Sequence, residues 1–249
     1  MSTSELSITK RRLLGGIAIA AVSIALTACS DSEDKAASTE AKPAVSNETT
    51  ASTTPAVEIP TADRDVDMEA ALKPGPLKEM ALGDPNAPVK VIEYMSMTCP
   101  HCAHFHETTF DAIKTKYVDS GKVYFVLREF PFPQDTASLA AFMLARCTTE
   151  DKFFPFVSMF LKQQRTWAAP ADGDVRGAML QLSKLGGFTQ ETFDACLTNA
   201  KLAGDVSAVR DRGAQEFGVQ STPTFLINGK AYSGDMSVDS MSALIDSLL

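Results

Sequence analysis

The stretch Met97-Thr98-Cys99-Pro100-His101-Cys102-Ala103-His104-Phe105-His106 holds two of the chain's five cysteines and all three of its histidines. Thiols and imidazoles packed this densely can bind a metal, anchor a haem, or form a sulfur pair that opens and closes. A c-type haem requires a histidine directly after the second cysteine, where this chain has Ala103. A structural zinc site requires four ligands, and no second Cys-x-x-Cys pair stands at useful spacing, Cys147 and Cys196 being far away. His104 or His106 could complete a copper or zinc set with Cys99 and Cys102, so a metal-delivery protein stays open as an alternative. The redox pair is the reading that fits the position of the cysteines as well as their spacing.

That position depends on the elements around it. Lys90-Val91-Ile92-Glu93-Tyr94-Met95 and Lys122-Val123-Tyr124-Phe125-Val126-Leu127 are β-branched and aromatic runs, bounded by Asp84-Pro85-Asn86 and Ser120-Gly121. Both predict buried strands. Between them Cys102, Phe105, Thr109, Ile113 and Tyr117 recur at three-to-four-residue steps, which predicts an amphipathic helix and, with its flanking strands, a parallel βαβ unit. Cys99 then falls where strand gives way to helix, beside unpaired backbone N–H groups and the positive end of the helix dipole. Pro100 suits the first helical turn, and a protonated His101 adds positive charge near Cys99. A thiolate is favoured there. Each unit of pKa depression stabilises it by about 1.36 kcal/mol, so a shift of about four units weights the reduced form by roughly 5 kcal/mol. A disulfide closed by such a sulfur is a strong oxidant. Cys102, one turn in and buried, is the resolving thiol.

From about residue 134 to 200 helical signals replace strand signals, with Leu139, Met143 and Cys147 spaced by four and an aromatic run at Phe153, Phe154, Phe156 and Phe160. This predicts an all-helical insertion. A further helix carries Leu202, Val206, Val209, Gly213 and Phe217 on one face and ends at Gly218. Thr224-Phe225-Leu226-Ile227 and Lys230-Ala231-Tyr232-Ser233 flank the hairpin turn Asn228-Gly229, and Met236 to Leu249 closes as a helix. Cys147 and Cys196 each lie on the apolar face of an insert helix. In an oxidising compartment they are expected to form a structural disulfide, two separate buried thiols being the alternative.

The front of the chain speaks to place. Lys10-Arg11-Arg12 precedes an apolar run from Leu13 to Ala28 too short for a comfortable membrane span, which predicts an export signal over residues 1–28. Leu26-Thr27-Ala28-Cys29 resembles the lipobox of bacterial lipoproteins, in which Cys29 becomes the lipidated first residue of the mature chain. Ser30 to about Ala62 is Ser, Thr, Ala, Pro and Glu without an aromatic residue, and predicts a flexible tether reaching on the order of 30 Å. The folded domain is expected over 63–249. Loss of residues 1–28 takes three basic and one acidic side chain from the chain's 23 and 31, leaving a net charge of −10. Such acidity argues against nucleic acid.

Cys99-Pro100-His101-Cys102 matches the active-site tetrad of the DsbA-type thiol:disulfide oxidoreductases. Gly83 to Tyr94 resembles that family's first strands, Val219-Gln220-Ser221-Thr222-Pro223-Thr224-Phe225 resembles its cis-proline loop, and with the helical insertion the similarity runs from about Pro74 to Leu249. The resemblance implies an α/β, thioredoxin-like fold: a central mixed sheet flanked by helices, with the helical insertion. It implies a cis peptide at Pro223 facing the active disulfide, and a Thr222 backbone free to pair with substrate. It also places Glu93, on the central strand, where thioredoxin-like folds carry a buried acid beneath the active site; buried and unpaired, it would take or give the proton of Cys102, an outward-facing surface glutamate being the alternative. His104 and His106 are expected to face solvent or the helix flank without a chemical role. The implied activity is insertion of disulfides into newly exported, cysteine-containing proteins in the periplasm by a lipid-anchored monomer without a cofactor. A quinone-linked membrane oxidase of the DsbB kind would regenerate it. Thr222 stands where the best-known oxidases carry valine and where isomerases and reductases carry threonine, so a disulfide reductase or isomerase is the alternative within the fold.

Overall fold

A computed structural model describes residues 57–249; the export signal, Cys29 and the tether up to residue 56 lie outside the described residues. Along the chain come β1 (Arg64–Asp65), α1 (Met68–Leu72), β2 (Met80–Leu82), β3 (Val89–Met95), α2 (Pro100–Thr108) and α3 (Phe110–Ile113), the last running into a π-helical turn at Lys114–Val118. β4 (Val123–Glu129) precedes the insertion, which holds α4 (Thr136–Arg146), α5 (Glu150–Lys162), α6 (Gln164–Ala168), α7 (Val175–Leu185) and α8 (Gln190–Leu197). The chain returns through α9 (Ala200–Phe217), β5 (Thr224–Ile227), β6 (Lys230–Ser233) and α10 (Val238–Asp246).

The six strands form one mixed sheet in the order β1-β6-β5-β3-β4-β2. β3 lies at its centre, parallel to β4 and antiparallel to β5, and every residue of β3 except Lys90 is buried. Its alternating side chains divide the core. Val91 and Met95 join Cys102, Phe105, Phe110 and the insertion on one face, whereas Ile92 and Tyr94 join Ala71 and Phe217 on the other. Glu93 has the parity of Val91 and Met95 and therefore points to the face of α2.

One local feature differs from the sequence expectation. The helix anticipated from Cys102 through Tyr117 is divided at Thr109, where φ stretches to −119°. The Thr109 hydroxyl leaves its own helix and donates to the Met236 carbonyl at 2.9 Å, while the Thr108 hydroxyl bonds back to the His104 carbonyl. Among the described residues the first strand is β1, within the domain expected over 63–249 and ten residues ahead of Pro74, where the family similarity begins. β1 pairs with β6, and Lys230 bonds Asp65 across the pair.

Within the insertion Cys147 and Cys196 are joined as a disulfide, their Cα atoms 6.2 Å apart. It ties the C-terminal end of α4 to α8. Gly218 caps α9 with φ 64°, a left-handed conformation that glycine adopts without a Cβ clash.

Candidate active site

The site begins where β3 ends. Ser96, Met97 and Thr98 turn the chain from the sheet edge into α2, and the insertion holds them from above. The Ser138 hydroxyl of α4 accepts from the Ser96 hydroxyl at 2.9 Å and from the Met97 N–H at 3.0 Å, and the Thr98 hydroxyl donates to Asp135, the cap of α4. From α6, the Gln164 amide donates to the carbonyls of Met97 and Cys99. The turn is thus fixed by side chains far along the chain.

Cys99 is the N-cap residue of α2 and Pro100 its first helical residue. Cys99 is partly exposed, Cys102 is fully buried, and both are free thiols. The Thr222–Pro223 peptide bond is cis, and the Cys99 thiol donates to the Thr222 carbonyl at 3.1 Å. The two sulfurs titrate in opposite directions. A hydrogen bond from the Cys102 thiol is the largest influence holding the Cys99 pKa down at about 5; partial burial opposes it, and the Thr222 side chain and the backbone N–H groups of Cys102 and His101 add to it. For Cys102, burial is the main reason that it titrates well above an ordinary thiol, followed by its hydrogen bond to Cys99, with the Cys99 and Glu93 charges pushing the same way.

Of the histidines, His104 lies where expected and His106 does not. The His101 ring is turned toward Asp235 at 3.4 Å, and it is the His101 backbone N–H that supports the Cys99 thiolate. His104 faces solvent and bonds the same carboxylate at 2.7 Å. His106 turns inward. It is 2% exposed, and its Nε2 lies 2.8 Å from Oε2 of Glu93, itself fully buried. Glu93 is buried, as expected, but paired, and His106, expected at solvent or the helix flank, is buried instead. The helical step from Cys102 to His106 is four residues, which sets both on one face of α2 and was the available signal. Gln164, Ser138 and Asp135 carried no such signal, since they meet the active-site turn only through the fold. Among the described residues no group of three or more His, Cys, Asp and Glu side chains is arranged to hold a metal ion. The donors of a metal site are drawn apart: Cys102 into the core, His101 and His104 to Asp235, and His106 to Glu93.

A family model described as Thioredoxin matches residues 77–247. The chain belongs to the thioredoxin family. Within that family it groups with the DsbA-type proteins. It is 36% identical over 172 residues to a putative protein-disulfide oxidoreductase of Rickettsia felis, a match covering 69% of this chain and 60% of the relative. It is 30% identical over 170 residues to a probable disulfide bond formation protein D of Bacillus cereus, covering 68% of this chain and 77% of that protein. The crystal structure of Wolbachia pipientis alpha-DsbA1 superposes with a TM-score of 0.66 at 28% identity, covering 73% of this chain and 96% of that one. The matched region spans about 60% of the length of the rickettsial relatives. The DsbA-type fold accounts for the helices inserted between β4 and β5 and for a thiol pair opening α2.

Proposed function

We propose that this chain is a thiol:disulfide interchange oxidoreductase that transfers the Cys99–Cys102 disulfide to cysteine-containing exported proteins. The observation that carries the reading is the opposite displacement of the two thiols, Cys99 down to about 5 and Cys102 well up. A substrate thiolate attacks the partly exposed Cys99 sulfur, the Cys99–Cys102 bond breaks, and Cys102 takes up a proton. A second substrate thiolate then attacks the substrate's own sulfur in the mixed disulfide, and Cys99 leaves as the thiolate. Two electrons have passed to the enzyme and one disulfide has formed in the substrate. Pro100 sets the first turn, and the Thr222–Pro223 loop, already within hydrogen-bond reach of Cys99, holds the substrate strand.

A membrane oxidase linked to quinone, of the DsbB kind, takes the electrons from the reduced pair. Cys29 carries the lipid that anchors a monomeric domain in the periplasm, and replacing it by alanine releases the protein from the membrane fraction. The assignment is tested by equilibration with glutathione buffers and by oxidative refolding of a reduced, unfolded ribonuclease. An oxidase is converted to the dithiol by glutathione mixtures that leave a low-potential reductase in the disulfide form. A protein that remains a disulfide in those mixtures and fails to oxidise the ribonuclease is a reductase, the role that Thr222 would then serve.

A further inference from the structure

We propose that His106 is a positioning residue for the proton of Cys102, acting through Glu93. This deepens the thiol-exchange reading. Cys102 is fully buried, so in attacking a mixed disulfide on Cys99 it must lose its proton within the core. Glu93 lies on the same face of the sheet. Its neighbours in register are Leu127 on β4 and Phe225 on β5, both apolar, and Phe110 of α3 lies against the His106 ring with centroids 4.7 Å apart. The ionisable side chains that α2 brings to this face are Cys102 and His106; β4 adds the buried Glu129, two residues beyond Leu127 and ion-paired with Arg146, while Arg128 and Tyr94 occupy the opposite face of the sheet.

Unpaired, a carboxylate in such surroundings turns to whatever donor it can find or stays protonated. His106 removes that freedom. Its Nε2–H donates to Oε2, and Phe105, edge-on at 5.5 Å, and Phe110 fix the plane of the ring. Oε1 of Glu93 is left buried with no hydrogen-bond partner. That orphaned oxygen is the acceptor. The proton moves from the Cys102 sulfur to Oε1, the Cys102 sulfur bonds to Cys99, the Cys99–thiol bond breaks, and the outgoing thiol departs as its anion. In the reverse direction Oε1 returns the proton to Cys102 as the internal disulfide opens.

The test uses the full chain with Cys99 loaded as a mixed disulfide with thionitrobenzoate, whose coloured anion is released by Cys102. Release is followed against pH in the wild type and in His106→Phe, His106→Gln, Glu93→Gln and the double variant Glu93→Gln/His106→Phe. Loss of the donor in His106→Phe is expected to slow release about tenfold near neutrality, with the rate recovering at alkaline pH as Cys102 ionises unaided. The glutamine amide of His106→Gln donates to Oε2 and is expected to restore most of the rate. The double variant is expected to be no slower than Glu93→Gln alone. A His106→Phe protein with the wild-type rate and pH profile overturns the proposal, as does a His106→Gln protein as slow as the phenylalanine variant. If His106→Phe does not fold, the comparison of His106→Gln with Glu93→Gln decides: a wild-type pH profile in Glu93→Gln also overturns it. The dye step needs no protein substrate, so failure to oxidise ribonuclease removes the proposed function and leaves this inference standing, and the converse also holds.

Discussion

One amide nitrogen of Gln164 donates to both the Met97 carbonyl, at 2.9 Å, and the Cys99 carbonyl, at 3.0 Å. A side chain of the insertion thereby fixes the backbone on either side of Thr98, immediately before the nucleophilic sulfur. The Cys99 carbonyl also accepts the first helical bond of α2, from Ala103 at 3.1 Å, so the amide and the helix start share one oxygen. Gln164 couples the insertion to the orientation of Cys99.

Replacing Gln164 by leucine is expected to cost about 1–3 kcal/mol, since the volume is kept while the buried Met97 carbonyl loses its donor and the partly buried Cys99 carbonyl loses one of two. Glutamate at 164 should be worse, because a carboxylate would face two carbonyl oxygens with no proton to give. Urea midpoints of the three proteins check the order wild type, leucine, glutamate. Leucine and wild type unfolding at the same midpoint would remove Gln164 from the positioning of the site.

The Cys99 titration makes a second prediction. An ordinary thiol ionises at 9.0 and Cys99 at about 5, so the folded thiol is charged over a range in which the unfolded one is not. For a group whose pKa is lowered by folding, the stabilisation is present above the unfolded value and lost as pH falls through the folded one. Between pH 8 and 5 the reduced protein should therefore lose stability relative to the oxidised protein, and alkylation of Cys99 should have its midpoint near pH 5. The leading cause is the thiol of Cys102, which also tells how the midpoint moves. Cys102→Ala removes the donor and shifts it upward, whereas Cys102→Ser keeps a hydroxyl donor and shifts it less. Equal midpoints in the two variants would mean that the helix start, not Cys102, sets the thiolate.

Where the sequence was legible, it was through local periodicity and turn chemistry. β3 and β4 are rich in β-branched and aromatic residues, Asn228-Gly229 announces the hairpin, and Gly218 announces the end of α9. β1 and β2, the two edges of the sheet, are two and three residues long, and α1 has five, too short for any periodicity to register. The site divides in the same way. Cys99 and Cys102 are a local signal and Thr222–Pro223 came through family resemblance, but Gln164 and Ser138 reach the active-site turn across more than forty residues of chain. His106 escapes the pattern for a different reason: a polar residue on a helix reads as solvent-facing, although it lies one turn beyond Cys102 on the buried side and its ionisable partner stands in the adjacent strand.

The Cys147–Cys196 bond closes a loop with a sequence separation of 49. In the chain-entropy treatment such a loop contributes roughly 4 kcal/mol. The double variant Cys147→Ala/Cys196→Ala should unfold at lower denaturant with a loss of about 2–4 kcal/mol, while the Cys99 alkylation midpoint stays in place, because neither residue contacts the Cys99 sulfur. A displaced Cys99 midpoint would show that the insertion reaches the nucleophile through this bond as well as through Gln164.

Two glycines of α9 give opposite forecasts for the same substitution. A Cβ on Gly213 would meet Cε1 of Tyr94 at 2.6 Å, whereas a Cβ on Gly204 has nothing within 4 Å. Tyr94 has little room to yield: it is fully buried on the central strand, and its hydroxyl accepts from the Arg128 guanidinium at 3.0 Å. Alanine in place of glycine inside a helix is favourable by about 1 kcal/mol, and overpacking against a fixed ring costs about 1–3 kcal/mol. At 204 only the first effect operates, so Gly204→Ala should raise the melting temperature. At 213 the clash wins, and Gly213→Ala should lower it by several degrees. Gly213→Ala melting at or above the wild type would mean that α9 is free to move off the sheet, and the packing of its C-terminal half against Tyr94 would no longer be what holds that face of the core together.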